Sequence, residues 1–128
     1  MTPTWLNDVV TAFGRQMALT RFALNERGVA GVRFENGLTL RFEYADEALL
    51  VSMGVAAGDD PATLRHLLEA VHPAAQRGGV RLRAAYLTKR GEAVYAVRLA
   101  ERGVTVAALG EVFQALWQAA DRLRRNVS

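Results

Sequence analysis

No cysteine occurs in the 128 residues. That excludes a disulfide framework, a thiolate metal cluster and a cysteine nucleophile, and makes a reducing compartment the expected setting. Long apolar runs are missing too. None approaches the roughly 20 residues that span a bilayer, and residues 1–15 lack the basic start and apolar centre of a signal peptide. The expectation is a cytoplasmic protein with no membrane span. Lysine is nearly absent: Lys89 stands alone among 16 basic residues. The other fifteen are arginines, which either serve anion recognition or reflect a genome that favours arginine codons.

Residues for chemistry are also scarce. The two histidines, His66 and His72, sit six apart near opposite faces of a helix, without a further ligand at metal spacing. His66 and Glu69 could hydrogen-bond along one face, yet that pair falls short of a catalytic constellation. The two serines, Ser52 and Ser128, lack the Gly-x-Ser-x-Gly elbow of a hydrolase. Gly28-x-x-Gly31 and Gly78-Gly79 lack the strand, helix and Lys-Ser/Thr of a phosphate cradle. Asp59 and Asp60 precede Pro61, where capping of a helix start explains them. We therefore expect no enzyme, no metal and no cofactor, and a function carried by binding.

What is present is an ordinary globular composition, 51% hydrophobic and 23% charged. Such a chain folds, and its length suits one domain spanning residues 1–128. The net charge of +3 is unevenly spread, with residues 1–72 at −3 and residues 73–128 at +6.

Thr2 and Pro3 read as an N-cap and first helical position, and Trp5, Leu6, Val9, Val10, Phe13 and Met17 then recur at helical spacing. After a polar joint the period changes to two. Ala30, Val32 and Phe34 alternate before Glu35-Asn36-Gly37, and Leu38, Leu40, Phe42 and Tyr44 alternate after it. A two-residue loop would set Phe34 opposite Thr39 and split the apolar face. A three-residue loop with Gly37 left-handed sets Phe34 beside Leu38, Val32 beside Leu40 and Ala30 beside Phe42, so the three-residue loop is expected. Asp46-Glu47 turns the chain into a third strand carrying Leu49, Val51, Met53 and Val55.

Asp60-Pro61 opens a second helix over residues 60–71 with Leu64, Leu67, Leu68 and Val71 in one stripe, and Pro73 with Gly78-Gly79 closes it. Val80, Leu82, Ala84 and Tyr86 mark a fourth strand. Thr88-Lys89-Arg90-Gly91 turns it into a fifth, with Ala93, Tyr95, Val97 and Leu99. A last helix carries Val106, Leu109, Val112, Phe113, Leu116, Trp117, Ala120 and Leu123, and ends in Arg122, Arg124 and Arg125. The class is α+β in the order α-β-β-β-α-β-β-α, an antiparallel twisted sheet with helices packed on it. Trp5, Phe13, Phe113 and Trp117 read as core aromatics.

Arg81, Arg83, Lys89, Arg90 and Arg98 gather on or beside the second hairpin. A basic strand face of this kind raises the alternative of a single-stranded nucleic-acid-binding module. The modest net charge and the absence of an RNA-binding signature argue against nucleic acid.

The element order, with the stretches Trp5-Leu6-Asn7-Asp8-Val9-Val10, residues 32–40 and residues 104–116, resembles the class I type III secretion chaperones, the CesT/SycE-like family. The stretch 104–116, after Arg83-Ala84-Ala85-Tyr86-Leu87, is most similar to the smaller, SycN-like gatekeeper chaperones. Family members are usually acidic, whereas this chain has a pI near 9.9. The resemblance implies a dimeric chaperone that keeps the N-terminal segment of a secreted effector or gatekeeper polypeptide extended, as a homodimer or as a heterodimer with a related chaperone. It implies protomer pairing through the second helix and nearby strands, with Leu64, Leu67, Leu68, Leu82 and Tyr86 as interface candidates. It also implies cargo grooves and strand addition at sheet edges. Phe13, Met17, Val32, Phe34, Leu40 and Phe42 are the cargo-binding candidates, each of them equally readable as core.

Overall fold

Period-two alternation between apolar and polar residues gives five strands, and each run of helical spacing gives a helix. The computed structural model describes residues 2–76 and 79–127. In chain order the elements are α1 (Thr4–Gln16), β1 (Val29–Arg33), β2 (Thr39–Ala45), β3 (Ala48–Ala56), α2 (Pro61–Val71), β4 (Arg83–Leu87), β5 (Glu92–Ala100) and α3 (Val106–Val127). Short 3-10 turns at Pro73–Ala75 and Glu101–Gly103 follow α2 and β5. The α-β-β-β-α-β-β-α order is therefore the observed one.

All strand pairs are antiparallel and the sheet order is β1-β2-β3-β5-β4. Val32 faces Leu40 and Ala30 faces Phe42, while the Phe34 N–H donates to the Leu38 carbonyl at 2.8 Å. Gly37 adopts φ +93, so the three-residue loop forms as the phase of the apolar residues requires. The next turn is tighter. Asp46 and Glu47 both take positive φ, +52 and +57, so that Ala45 can face Ala48 directly.

One face of the sheet is covered. Leu40, Phe42, Val51, Met53, Val55, Tyr95 and Val97 pack there against Leu6, Val10 and Phe13 of α1 and Leu109, Val112, Leu116 and Leu123 of α3. Side chains of this size contribute about 1.5–3 kcal/mol each on full burial. Gly14 lets the loop after α1 close down, because a Cβ there would lie 2.8 Å from Phe22 Cβ. Burial holds the Tyr95 phenol against ionisation and pushes its pKa up to about 12.

Three local expectations need correction. Pro3 is extended at ψ 140 and serves as the cap position, so α1 starts at Thr4 and Thr2 does not cap it. Trp5 is 44% exposed, because Leu6, Val10 and Phe13 take the inward arc of α1. The fourth strand starts at Arg83, three residues later than the alternation from Val80 suggests. The Gln76 side chain explains this: its Oε1 accepts from the Leu82 N–H at 3.2 Å and its Nε2 donates to the Val71 carbonyl at 2.8 Å. A backbone satisfied by a loop side chain has no need of a neighbouring strand. The expected helix stop at Gly78 lies outside the described residues, and α2 ends at Val71 with His72 as its cap.

Candidate functional site

The outer end of the sheet, at β1 and β2, is built on aromatic contacts. Phe22, Phe42, Phe13, Phe113 and Trp117 follow one another at ring separations of 5.0, 5.6, 6.1 and 5.6 Å, and Phe34 closes on Trp117 at 5.2 Å. The run goes from interior to surface. Phe13, Leu40 and Phe42 have at most 1% exposure and form the base of this end. Met17, Val32 and Phe34 are only partly buried, packed against the same core. Trp117 joins Phe34 at this surface, a position that helical spacing could not separate from the core. β1 is the outermost strand and carries no further strand on its outer side among the described residues.

The opposite end is built on α2. Asp60 Oδ1 accepts from the Thr63 N–H at 2.8 Å and Pro61 occupies the first turn, so the helix starts where the Asp-Pro pair dictates. Leu67 turns inward at 5% exposure, but Leu64 is 42% exposed and Leu68 is 70% exposed. Leu82 and Tyr86 lie beside them, partly buried, and the Tyr86 hydroxyl donates to the Ala57 carbonyl at 2.8 Å. The structure thus gathers the five α2-end candidates at one end and the six cargo candidates at the other.

Sequence spacing gave no sign of the ion pair on the uncovered sheet face. Arg41 of β2 donates from both terminal nitrogens to the Glu92 carboxylate of β5, at 3.0 and 3.2 Å. The Glu92 side chain lies over Gly54 of the strand between, where a Cβ would come within 2.6 Å of its Cδ. The two partners are 51 residues apart, so only the sheet register brings them together. Elsewhere the Tyr44 hydroxyl donates to the Glu101 carboxylate, and that bond to the acceptor pushes the phenol pKa up to about 12.

Among the described residues, no three His, Asp or Glu side chains converge as a metal site would require. His66 and Glu69 line a groove of about 830 Å³ between α2 and α3, with Tyr95 and Arg122 opposite. No helix among the described residues is long and apolar enough to cross a membrane.

A profile of the Tir chaperone protein (CesT) family matches residues 8–124. The chain belongs to that family. It is by descent a type III secretion chaperone, with the fold of that class. Solved structures with this fold include the crystal structure of the ExsC-ExsE complex, at 16% identity and TM-score 0.72 over 97% of this chain and 94% of the other. The HopA1-SchA chaperone-effector complex matches at 16% identity and TM-score 0.74, over 98% and 99%. The Yersinia pestis type III secretion chaperone SycH, in complex with a fragment of YscM2, matches at 15% identity and TM-score 0.70, over 92% and 98%. No curated protein sequence matches the chain. None of these neighbours supports the nucleic-acid reading.

Proposed function

We propose that this CesT-family chaperone works in the bacterial cytoplasm, pairs through its α2 end, and holds the N-terminal segment of a secreted effector or gatekeeper extended at its β1 end. It performs no reaction. The whole chain, residues 1–128, acts as one unit, and its partner protomer is a second copy or a related chaperone. The observation that carries this reading is the division of labour between two incomplete ends. Leu64 and Leu68 stand exposed on α2, while the outermost strand β1 ends beside the partly buried Val32 and Phe34. Two exposed leucines brought together with their mates bury enough apolar surface to contribute several kcal/mol. An open strand edge flanked by apolar side chains suits strand addition, in which main-chain hydrogen bonds give affinity without demanding one sequence. The chaperones in the HopA1-SchA and SycH complexes hold a protein partner, which supports the same role here.

Co-expression with the secreted proteins encoded beside its gene tests the proposal. The expected result is a stoichiometric complex that survives moderate salt. Failure to capture any secreted neighbour, together with nucleic acid that co-purifies and is lost as salt rises, would overturn it.

A further inference from the structure

The groove between α2 and α3 belongs to neither incomplete end of the sheet. His66, Glu69 and Ala70 form its α2 wall, on the arc of the helix roughly opposite Leu64 and Leu68. At about 830 Å³ it falls within the roughly 300–1,000 Å³ of ligand sites. Tyr95 of β5 lines it while only 1% exposed. The phenol has no hydrogen-bond partner among the described residues. A buried hydroxyl without a partner is destabilising, and one that opens on a groove is satisfied by what enters it. At neutral pH it stays protonated, because burial pushes its pKa up to about 12, so it is offered as an O–H donor.

The α3 wall narrows the choice of occupant. Glu111, Gln114, Gln118 and Arg122 recur at i, i+3, i+7 and i+11 on one stripe of that helix. None of the four side chains has a hydrogen-bond or ion-pair partner among the described residues. From Glu111 to Arg122 the helix rises about 16 Å, the reach of about five residues of extended chain. One end of the wall is therefore acidic and the other cationic, and the Arg122 charge reaches the Tyr95 phenol. Ala70, Ala115 and Ala119 keep both walls low. Main chain can then lie along Gln114 and Gln118, whose amides both donate and accept. A carboxylate suits the Arg122 end, where guanidinium and phenol both donate. A basic side chain suits Glu111, with Glu69 on the facing wall. A phosphate backbone would meet both acids, and a small lone carboxylate would leave most of the groove unfilled.

We propose that this groove captures the C-terminal end of another polypeptide, with its free carboxylate on Arg122 and Tyr95 and a lysine or arginine about five residues earlier on Glu111. The site is separate from strand addition at β1 and from pairing at α2, and does not rest on the chaperone reading above.

The experiment titrates the purified full-length protein with N-terminally labelled hexapeptides by fluorescence anisotropy. The first has lysine at its start, four alanines and a terminal leucine with a free carboxylate. The second has the same sequence with an amidated end, and the third has glutamate in place of lysine. Expected is saturable binding of the first, with about tenfold weaker binding of each of the others. Arg122→Gln should weaken the first peptide until it binds no better than the amide. Glu111→Gln should abolish the preference for lysine over glutamate and keep the gap between acid and amide. Both positions are exposed, so these variants fold; Tyr95→Phe should narrow the acid–amide gap several-fold, and if it misfolds the two exposed variants still decide. No saturable binding of the first peptide, equal binding of acid and amide, or an acid–amide gap that persists in Arg122→Gln overturns the proposal. A shift of the free protein from dimer to monomer in Arg122→Gln, read by sedimentation, also overturns it, because a second copy would then be the occupant.

Discussion

The two ends of the sheet are finished in opposite ways. At the β1 end, α1, α3 and the loop carrying Phe22 close over Phe13, Leu40 and Phe42 until these are buried, leaving only Met17, Val32 and Phe34 partly open. At the β4 end, α2 turns one leucine inward and two outward, so the apolar stripe is only half used by the protomer itself. The difference teaches that a run of apolar residues at helical or strand spacing can serve either the core or a partner. Burial in the assembled chain, and not the spacing, separates the two roles.

That contrast is most sharply broken at Phe42. Phe42→Ala removes a ring that touches both Phe13 and Phe22, and the cost should be about 3–5 kcal/mol, read as a large fall in the urea midpoint. At the other end, Leu64→Ser with Leu68→Ser should leave the fold of the protomer within about 0.5 kcal/mol but raise its dimer dissociation constant about a hundredfold. Sedimentation equilibrium reads that change, and a doubly substituted protein that stays dimeric would assign pairing to another surface. Met17→Asp should weaken capture of a cargo segment about tenfold with the dimer intact, as titration of labelled cargo would show. Asp60→Ala removes the acceptor of the Thr63 N–H, and should cost about 1 kcal/mol in thermal unfolding while loosening the helix that carries Leu64 and Leu68.

The smallest effect at neutral pH belongs to Tyr95, which lies at the centre of the core. Its pKa in the fold is pushed up to about 12 from the ordinary 10.0 of a tyrosine. The neutral form is therefore the one the fold favours, and its contribution is whole below pH 10 and lost as pH rises towards 12. Wild type should lose stability over that window, and Tyr95→Phe should lose less, measured by urea unfolding across the alkaline range.

Much of this was readable in advance where the cause is local. The phase of Phe34 and Leu38 around Glu35-Asn36-Gly37 dictated the first hairpin, and the Asp60-Pro61 pair dictated the start of α2. Where the cause is long-range, the sequence was silent. Arg41 and Glu92 meet across an intervening strand, above a Gly54 that looks unremarkable by itself. The delayed start of β4 depends on a Gln76 side chain folding back across its own loop. The same limit applies to the site: the helical spacing of Phe13 and Met17 and the alternation of Val32, Phe34, Leu40 and Phe42 marked six cargo candidates alike, yet Phe13, Leu40 and Phe42 are base and Met17, Val32 and Phe34 are surface. Trp5 misled for the related reason that a helical stripe is wider than the arc a sheet can cover.

The central claim is that two incomplete ends serve two partners. Light scattering on the purified protein, alone and after co-expression with the N-terminal segment of a secreted neighbour, tests it most directly. The account predicts a mass of two chaperone protomers alone and of two protomers carrying the cargo segment together. A monomer that stays a monomer and carries nothing would contradict it.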